Sequence, residues 1–246
     1  MSKNYLILGA SSDVGIELLK EINSKDHSSV IWAHYFSNDE AIKKIKKEND
    51  NNIIPIAADF SNMKDVEHLY SIIEKSGMIP TSIVHLSAPK LQYDKFRNLR
   101  WEDCVCDTHI QVGSIFRLLQ MLLPRITKME YRAKIVFMLS ENTVNLPSKF
   151  TTKYTMSKYM LLGLMKSLAS EYEGKNVNIN ALSPSMINTK FLDKIDKRTL
   201  EIYSDIDCIL EPREVVPWIL KLLSEFSDDM NGANILFTGE ENGIEQ

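Results

Sequence analysis

Tyr154 and Lys158 stand four residues apart in the stretch YTMSK. On a helix, that spacing puts both side chains on one face. A phenol placed there could move a proton. Its unperturbed pKa is ~10, and a nearby ammonium favours the phenolate and draws that value toward working pH. A carbonyl receiving hydride needs a proton donor at the developing alkoxide, and a phenol can supply it. Tyr-x-x-x-Lys also arises by chance on ordinary helices, so the spacing alone does not decide.

A second stretch with chemical meaning is GASSDVG, Gly9 to Gly15. A tight turn feeding a helix exposes backbone N–H groups and the positive end of the helix dipole, which together form a phosphate site. Gly9 permits the turn and Gly15 permits close helix–strand packing. Asp13 falls where a middle glycine is expected. Pointing inward, its carboxylate would repel a pyrophosphate; as an N-cap it would turn back onto its own helix. The same residue types also build a plain strand-to-helix turn, but a place in the first βα unit favours the dinucleotide reading.

The elements that must position these groups are legible as alternating patterns. Short apolar runs (YLILGA, SVIWAHY, NIIPIAA, SIVHLSA, AKIVFMLS, NVNINALS and ANILFTG) read as seven strands. Amphipathic segments between them read as helices, including a long one from about Arg100 to Lys128 and the one carrying Tyr154 to about Tyr172. Continuous apolar strands alternating with helices imply a mostly parallel sheet covered on both faces. The chain reads as one α/β doubly wound domain over residues 1–246, with no repeat or linker.

Composition narrows the function classes. The 246 residues are 44% hydrophobic and 25% charged, with a net charge of -4, so neither nucleic acid nor an anionic membrane is expected as a partner. No apolar run is long enough for a membrane span or a signal peptide. Cys104, Cys106 and Cys208 cannot all pair with one another and suggest a reducing, cytoplasmic setting. Cys104 and Cys106 lack a second ligand pair at metal spacing, so no metal is expected.

Taken in order, GASSDVG, ADFS after the third strand, YTMSK after the fifth, NINALSPSMINTKF and MNGANILFTGEE resemble the short-chain dehydrogenase/reductase family over nearly the whole chain. The resemblance implies a Rossmann fold, NAD(P)(H), and interconversion of a ketone and a secondary alcohol. It gives Gly9, Ser11, Ser12, Asp13, Val14 and Gly15 to the pyrophosphate turn. Asp59 would meet the adenine with Phe60 beside it, and Ala88 would lie along the cofactor. Pro184, Ile187 and Thr189 would border the nicotinamide. Tyr154 becomes the acid/base, and Lys158 holds the ribose and lowers the tyrosine pKa. A substrate lid would span about 189–212, partly apolar through Phe191, Leu192, Ile195 and Tyr203. Family members are commonly tetramers through the long helix and the Tyr154 helix, so a homo-oligomer, tetramer or dimer, is expected.

The departures are equally specific. Counting thirteen residues back from Tyr154, where the family carries a serine, gives Glu141. A loop one residue longer would bring in Ser140, the reading taken here, since a carboxylate would oppose phenolate. Gln111 falls at the family's relay asparagine, and LSAP (Leu86 to Pro89) replaces NNAG. Nine glycines lie below the ~7% average. A non-catalytic scaffold with a degenerate site is therefore the competing reading. No charge stands at Tyr35, Phe36 or Ser37, and Ser37 and Asn38 could bond a 2′-phosphate, so NADP(H) is favoured over NAD(H).

Overall fold

The computed structural model describes residues 3–48, 52–193, 195 and 209–239. Seven strands form one parallel sheet: β1 (Asn4–Leu8), β2 (Val30–Tyr35), β3 (Asn52–Ala57), β4 (Ser82–His85), β5 (Ala133–Met138), β6 (Val177–Pro184) and β7 (Asn234–Phe237). Their order is β3-β2-β1-β4-β5-β6-β7. Strand order reverses between β1 and β4, and a sheet of this kind opens a crevice at the carboxyl ends there.

Strands this short stay in place because both faces are apolar. Leu6 and Leu8 point to one face, with Trp32, Ile83 and Phe137, and pack under α3 (Met63–Lys75), α5 (Ser114–Ile126) and α6 (Thr152–Glu171). Tyr5 and Ile7 point to the other, with Ile31, Val84 and Leu182, under α1 (Asp13–Lys25), α2 (Glu40–Glu48) and α7 (Pro212–Leu222). Helix α1 buries Val14, Leu18, Leu19 and Ile22, a stripe at helical spacing.

Two expectations change. The long helix from Arg100 is broken into α4 (Trp101–Thr108), a π-helical turn (His109–Gly113) and α5. A π turn shifts the hydrogen-bond register by one residue and often marks a functional site. Asp13 is not an N-cap. Ser12 caps α1, its Oγ accepting from the Gly15 N–H at 3.1 Å. Of the lid, only residues 189–193, 195 and 209–212 are described. Cys208 and Tyr203 lie outside the described residues.

Candidate active site

A cleft of about 800 Å³ runs along the carboxyl ends of the strands, from Phe36 and Ser37 past Gly9 to Tyr154 and Lys158. Its floor depends on glycine at two places. Gly9 has φ +85°, and a Cβ there would lie 3.0 Å from the Ser87 nitrogen. A Cβ on Gly15 would lie 2.6 Å from the Gly9 oxygen. Those contacts draw β1, the turn and α1 together, and any dinucleotide bound here would take its phosphates at that turn.

His34, at the end of β2, locks the turn in a way composition did not reveal. Its Nδ1 accepts from the Gly9 N–H at 3.0 Å, and its Nε2 donates to the Ala58 carbonyl at 3.1 Å. The ring stacks on Phe60 with centroids 3.8 Å apart. One imidazole thus ties the ends of β1, β2 and the segment after β3. Burial pushes its pKa down to about 4, which keeps it neutral. A lone histidine in an apolar strand carries no sequence signal for this role.

The Asp59 carboxylate accepts from the N–H and hydroxyl of Ser61, at 2.9 and 2.7 Å, while facing the cleft. Ser11, Ser12, Asp13, Val14, Ser37, Phe60, Ala88, Pro184, Ile187 and Thr189 all line the same cleft. Gly15 lies beneath it as packing. Beyond Phe36 and Asn38, Glu40 enters the wall. The Asp13 side chain turns across the mouth, its Oδ2 accepting from the backbone N–H of Lys190 at 2.7 Å.

At the other end stand Ser140, Tyr154 and Lys158. Ser140 begins the short turn after β5, where its Oγ accepts from the Asn142 N–H at 3.3 Å, and its side chain draws the Tyr154 phenol's pKa down. Ser140 is thus the hydroxyl that acts on the phenol, and the Glu141 charge acts on it from the next position. Asn142, two residues on, anchors this loop to α6 by donating to Thr151 and Thr155 at 3.3 and 3.2 Å. Lys158 is buried, its Nζ donating to the Met138 carbonyl at 2.9 Å and lying 5.3 Å from the centre of the Tyr154 ring.

The electrostatics correct one expectation. Burial, not Lys158, sets the direction for the phenol, which is pushed up to about 12; the Glu141 and Tyr93 charges add to that, and the Ser140 hydrogen bond opposes it. Burial also pushes the Lys158 ammonium down to about 7, against the Asp107 carboxylate that favours its charge. Two buried groups that each resist ionisation do not form a standing phenolate–ammonium pair. Tyr154 is held protonated.

Gln111 is not brought to the cleft. Its side chain is fully buried behind the π turn, with neither amide atom bonded to a protein group. Its backbone carbonyl instead takes a 2.7 Å hydrogen bond from Nε2 of His85, at the end of β4. Among the described residues no cluster of His, Cys, Asp or Glu could hold a metal, and no helix is long and apolar enough to cross a membrane.

The geometry is that of a dinucleotide fold with a hydroxyl pair at the end of its cleft, and comparison with known proteins agrees. The family model described as Enoyl-(Acyl carrier protein) reductase matches residues 9–239, and the chain belongs to the short-chain dehydrogenase/reductase family, whose members use NAD(P)(H). It is an oxidoreductase. The 3-oxoacyl-[acyl-carrier-protein] reductase FabG of Buchnera aphidicola subsp. Baizongia pistaciae is 23% identical over 202 residues, 82% of this chain and 80% of the relative. The L-rhamnose-1-dehydrogenase of Scheffersomyces stipitis is 22% identical over 248 residues, 96% of this chain and 95% of the relative. Levodione reductase superimposes with a TM-score of 0.84 at 18% identity, covering 96% of both chains. A short-chain type dehydrogenase/reductase from Mycobacterium ulcerans gives 0.84 at 16% identity, covering 97% of this chain and 90% of the other.

Proposed function

We propose that this chain interconverts a ketone and a secondary alcohol, with Tyr154 as the general acid in reduction and the base in oxidation. The hydroxyl pair carries the reading: Ser140 and Tyr154 line the same cleft as Lys158, and Ser140 draws the phenol's pKa down. A bound nicotinamide would supply or accept the hydride. The residues fit it, since Gly9 and Gly15 let β1, the turn and the N-terminus of α1 close against one another and the cleft is continuous from that turn to Tyr154.

Tyr154, held protonated, gives its proton to the alkoxide as that charge develops. Ser140 donates to the same oxygen and fixes the carbonyl against the phenol. Lys158, pinned by Met138, stabilises the phenolate left behind, and its own low affinity for a proton lets it exchange one near neutral pH. The matched family description names reduction of an enoyl group, whereas two hydroxyls facing one point suit a carbonyl oxygen. The non-catalytic alternative has no such observation behind it.

The substrate is a small molecule. Phe191, whose ring lies 5.7 Å from that of Tyr154, gives its pocket an apolar wall. For the cofactor, the uncharged Phe36–Asn38 segment favours NADP(H), while Glu40 in the wall weighs against a 2′-phosphate. Titration with NADPH and with NADH decides between them. Exposed Trp101, Val105, Met156, Tyr159 and Met160 on α4 and α6 support a subunit interface there, and Met160→Glu should shift the mass seen by light scattering to a smaller species.

The principal test is Tyr154→Phe. Turnover of a ketone panel should fall by about 10²- to 10⁴-fold while cofactor affinity stays within about twofold, because the phenol acts on the substrate oxygen. Turnover near wild type would show that another group delivers the proton.

A further inference from the structure

We propose that Asp13 is an internal counter-anion that sets cofactor affinity, occupying the positive end of α1 and latching the segment after β6 until a dinucleotide pyrophosphate displaces it. This rests on the reading above that the cleft binds a dinucleotide. Asp13 is the first residue of α1, where the dipole and the free first-turn N–H groups favour a negative charge. Its carboxylate reaches a segment 177 residues away, with Oδ2 on the Lys190 N–H at 2.7 Å and Oδ1 3.8 Å from the Lys190 ammonium. Both residues line the cleft.

The latched segment is held at its other side too. The Leu91 N–H donates to the Phe191 carbonyl at 3.2 Å, and Lys90 pairs with Asp193 at 2.9 Å. One short stretch therefore spans the cleft from the phosphate turn to Tyr154, against which Phe191 packs. A pyrophosphate at the α1 end would be repelled by the Asp13 carboxylate held beside it on Lys190. Asn in place of Asp13 removes the charge but keeps an oxygen for the Lys190 N–H. Gly removes both the charge and the latch.

The experiment is fluorescence titration of wild type, Asp13→Asn and Asp13→Gly with NADPH and NADH at low and high salt. One full charge about 4 Å from another is worth roughly five- to tenfold in water. Both variants should therefore bind about five- to tenfold tighter at low salt, and the gap should narrow at high salt. Amide hydrogen exchange at Lys190 should be slow in wild type and Asp13→Asn, and fast in Asp13→Gly. Equal or weaker binding by Asp13→Asn overturns the proposal. If no variant binds either dinucleotide, the cofactor reading fails, and thermal stabilisation by inorganic pyrophosphate then decides this one. A gain in Asp13→Asn over wild type sustains the counter-anion role, and no difference removes it.

Discussion

The two layers flanking the Tyr154 end of the cleft differ in how far they pair their polar groups. On the wall made by β5 and α6, Ser140 and Lys158 have hydrogen-bond partners, and Ser157 Oγ beside Lys158 is buried without one. On the wall made by β4 and the π turn, Ser87 Oγ, His85 Nδ1 and both amide atoms of Gln111 are buried without a protein partner. Buried polar groups are normally paired because an unpaired one costs about 1–3 kcal/mol. The first wall keeps the residue types that the family resemblance leads one to expect, with Ser140 one residue out of register, and the second departs from them. A group that must deliver a proton to one point tolerates little displacement, whereas a supporting wall can be rebuilt if its backbone stays in place.

The sharpest way to break that contrast is on the paired wall. Ser140→Ala would remove the donor proposed for the substrate oxygen, and kcat should then fall by about 10²- to 10³-fold with cofactor affinity unchanged in a binding titration. Glu141→Gln should do the reverse in kind. Its charge pushes the phenol upward, so the variant should keep its turnover and show its alkaline limb at lower pH. A large loss in Glu141→Gln together with a small one in Ser140→Ala would exchange the two assignments.

At Gly15 the phosphate turn answers to shape. Gly15→Ala would place a methyl 2.6 Å from the Gly9 oxygen and 2.7 Å from the Ala10 oxygen, both backbone. Neither neighbour can swing aside, so stability should fall by about 1–3 kcal/mol, with dinucleotide binding lost in parallel. Urea unfolding and titration measure the two separately. Gly163→Ala, where a methyl meets nothing within 4 Å, is the matched control and should be stabilising by about 0.5–1 kcal/mol.

Histidines on the rebuilt walls should show in acid. Burial holds His34 at about 4 and His85 at about 3, below the unfolded value near 6.5. Below ~6.5 the unfolded chain takes up protons that the folded chain refuses. The stability that neutral histidines allow is therefore complete above that pH and is lost progressively as pH falls toward about 4. For His34 the loss is on the order of 3 kcal/mol. His34→Gln should flatten the slope of unfolding free energy against pH between those limits, and an unchanged slope would show that the ring is accessible to protons.

These residues also show where sequence was sufficient. The sheet was legible because seven apolar runs alternate with amphipathic segments, a pattern long enough to override local exceptions. The turn from Gly9 to Gly15 and the Tyr154–Lys158 pair were legible because each is a local spacing on one element. His34 and His85 were not, since each works through a neighbour distant in sequence, Ala58 and Gln111 respectively. Asp13 was visible as an oddity, but its partner, 177 residues away, was not. The π turn was hidden because its sequence, HIQVG, is ordinary helix.

That turn carries the smallest predicted effect and the finest test of the two-wall contrast. If Gln111 acts through its amide, a side chain of similar length without hydrogen-bonding groups should injure both stability and turnover. If only its carbonyl matters, held by His85 at 2.7 Å, the amide is dispensable and costly. We expect Gln111→Met to be neutral or more stable by up to about 1 kcal/mol, because replacing an unpaired buried polar group by an apolar one of like shape removes a desolvation cost. Turnover should stay within about twofold, since the π turn and the His85 bond belong to backbone that the substitution does not touch. His85→Phe, which removes the donor to that carbonyl, should instead lower stability by about 1–3 kcal/mol. A Gln111→Met enzyme with lost turnover and intact stability would place the amide in the proton path and bring the second wall into the chemistry.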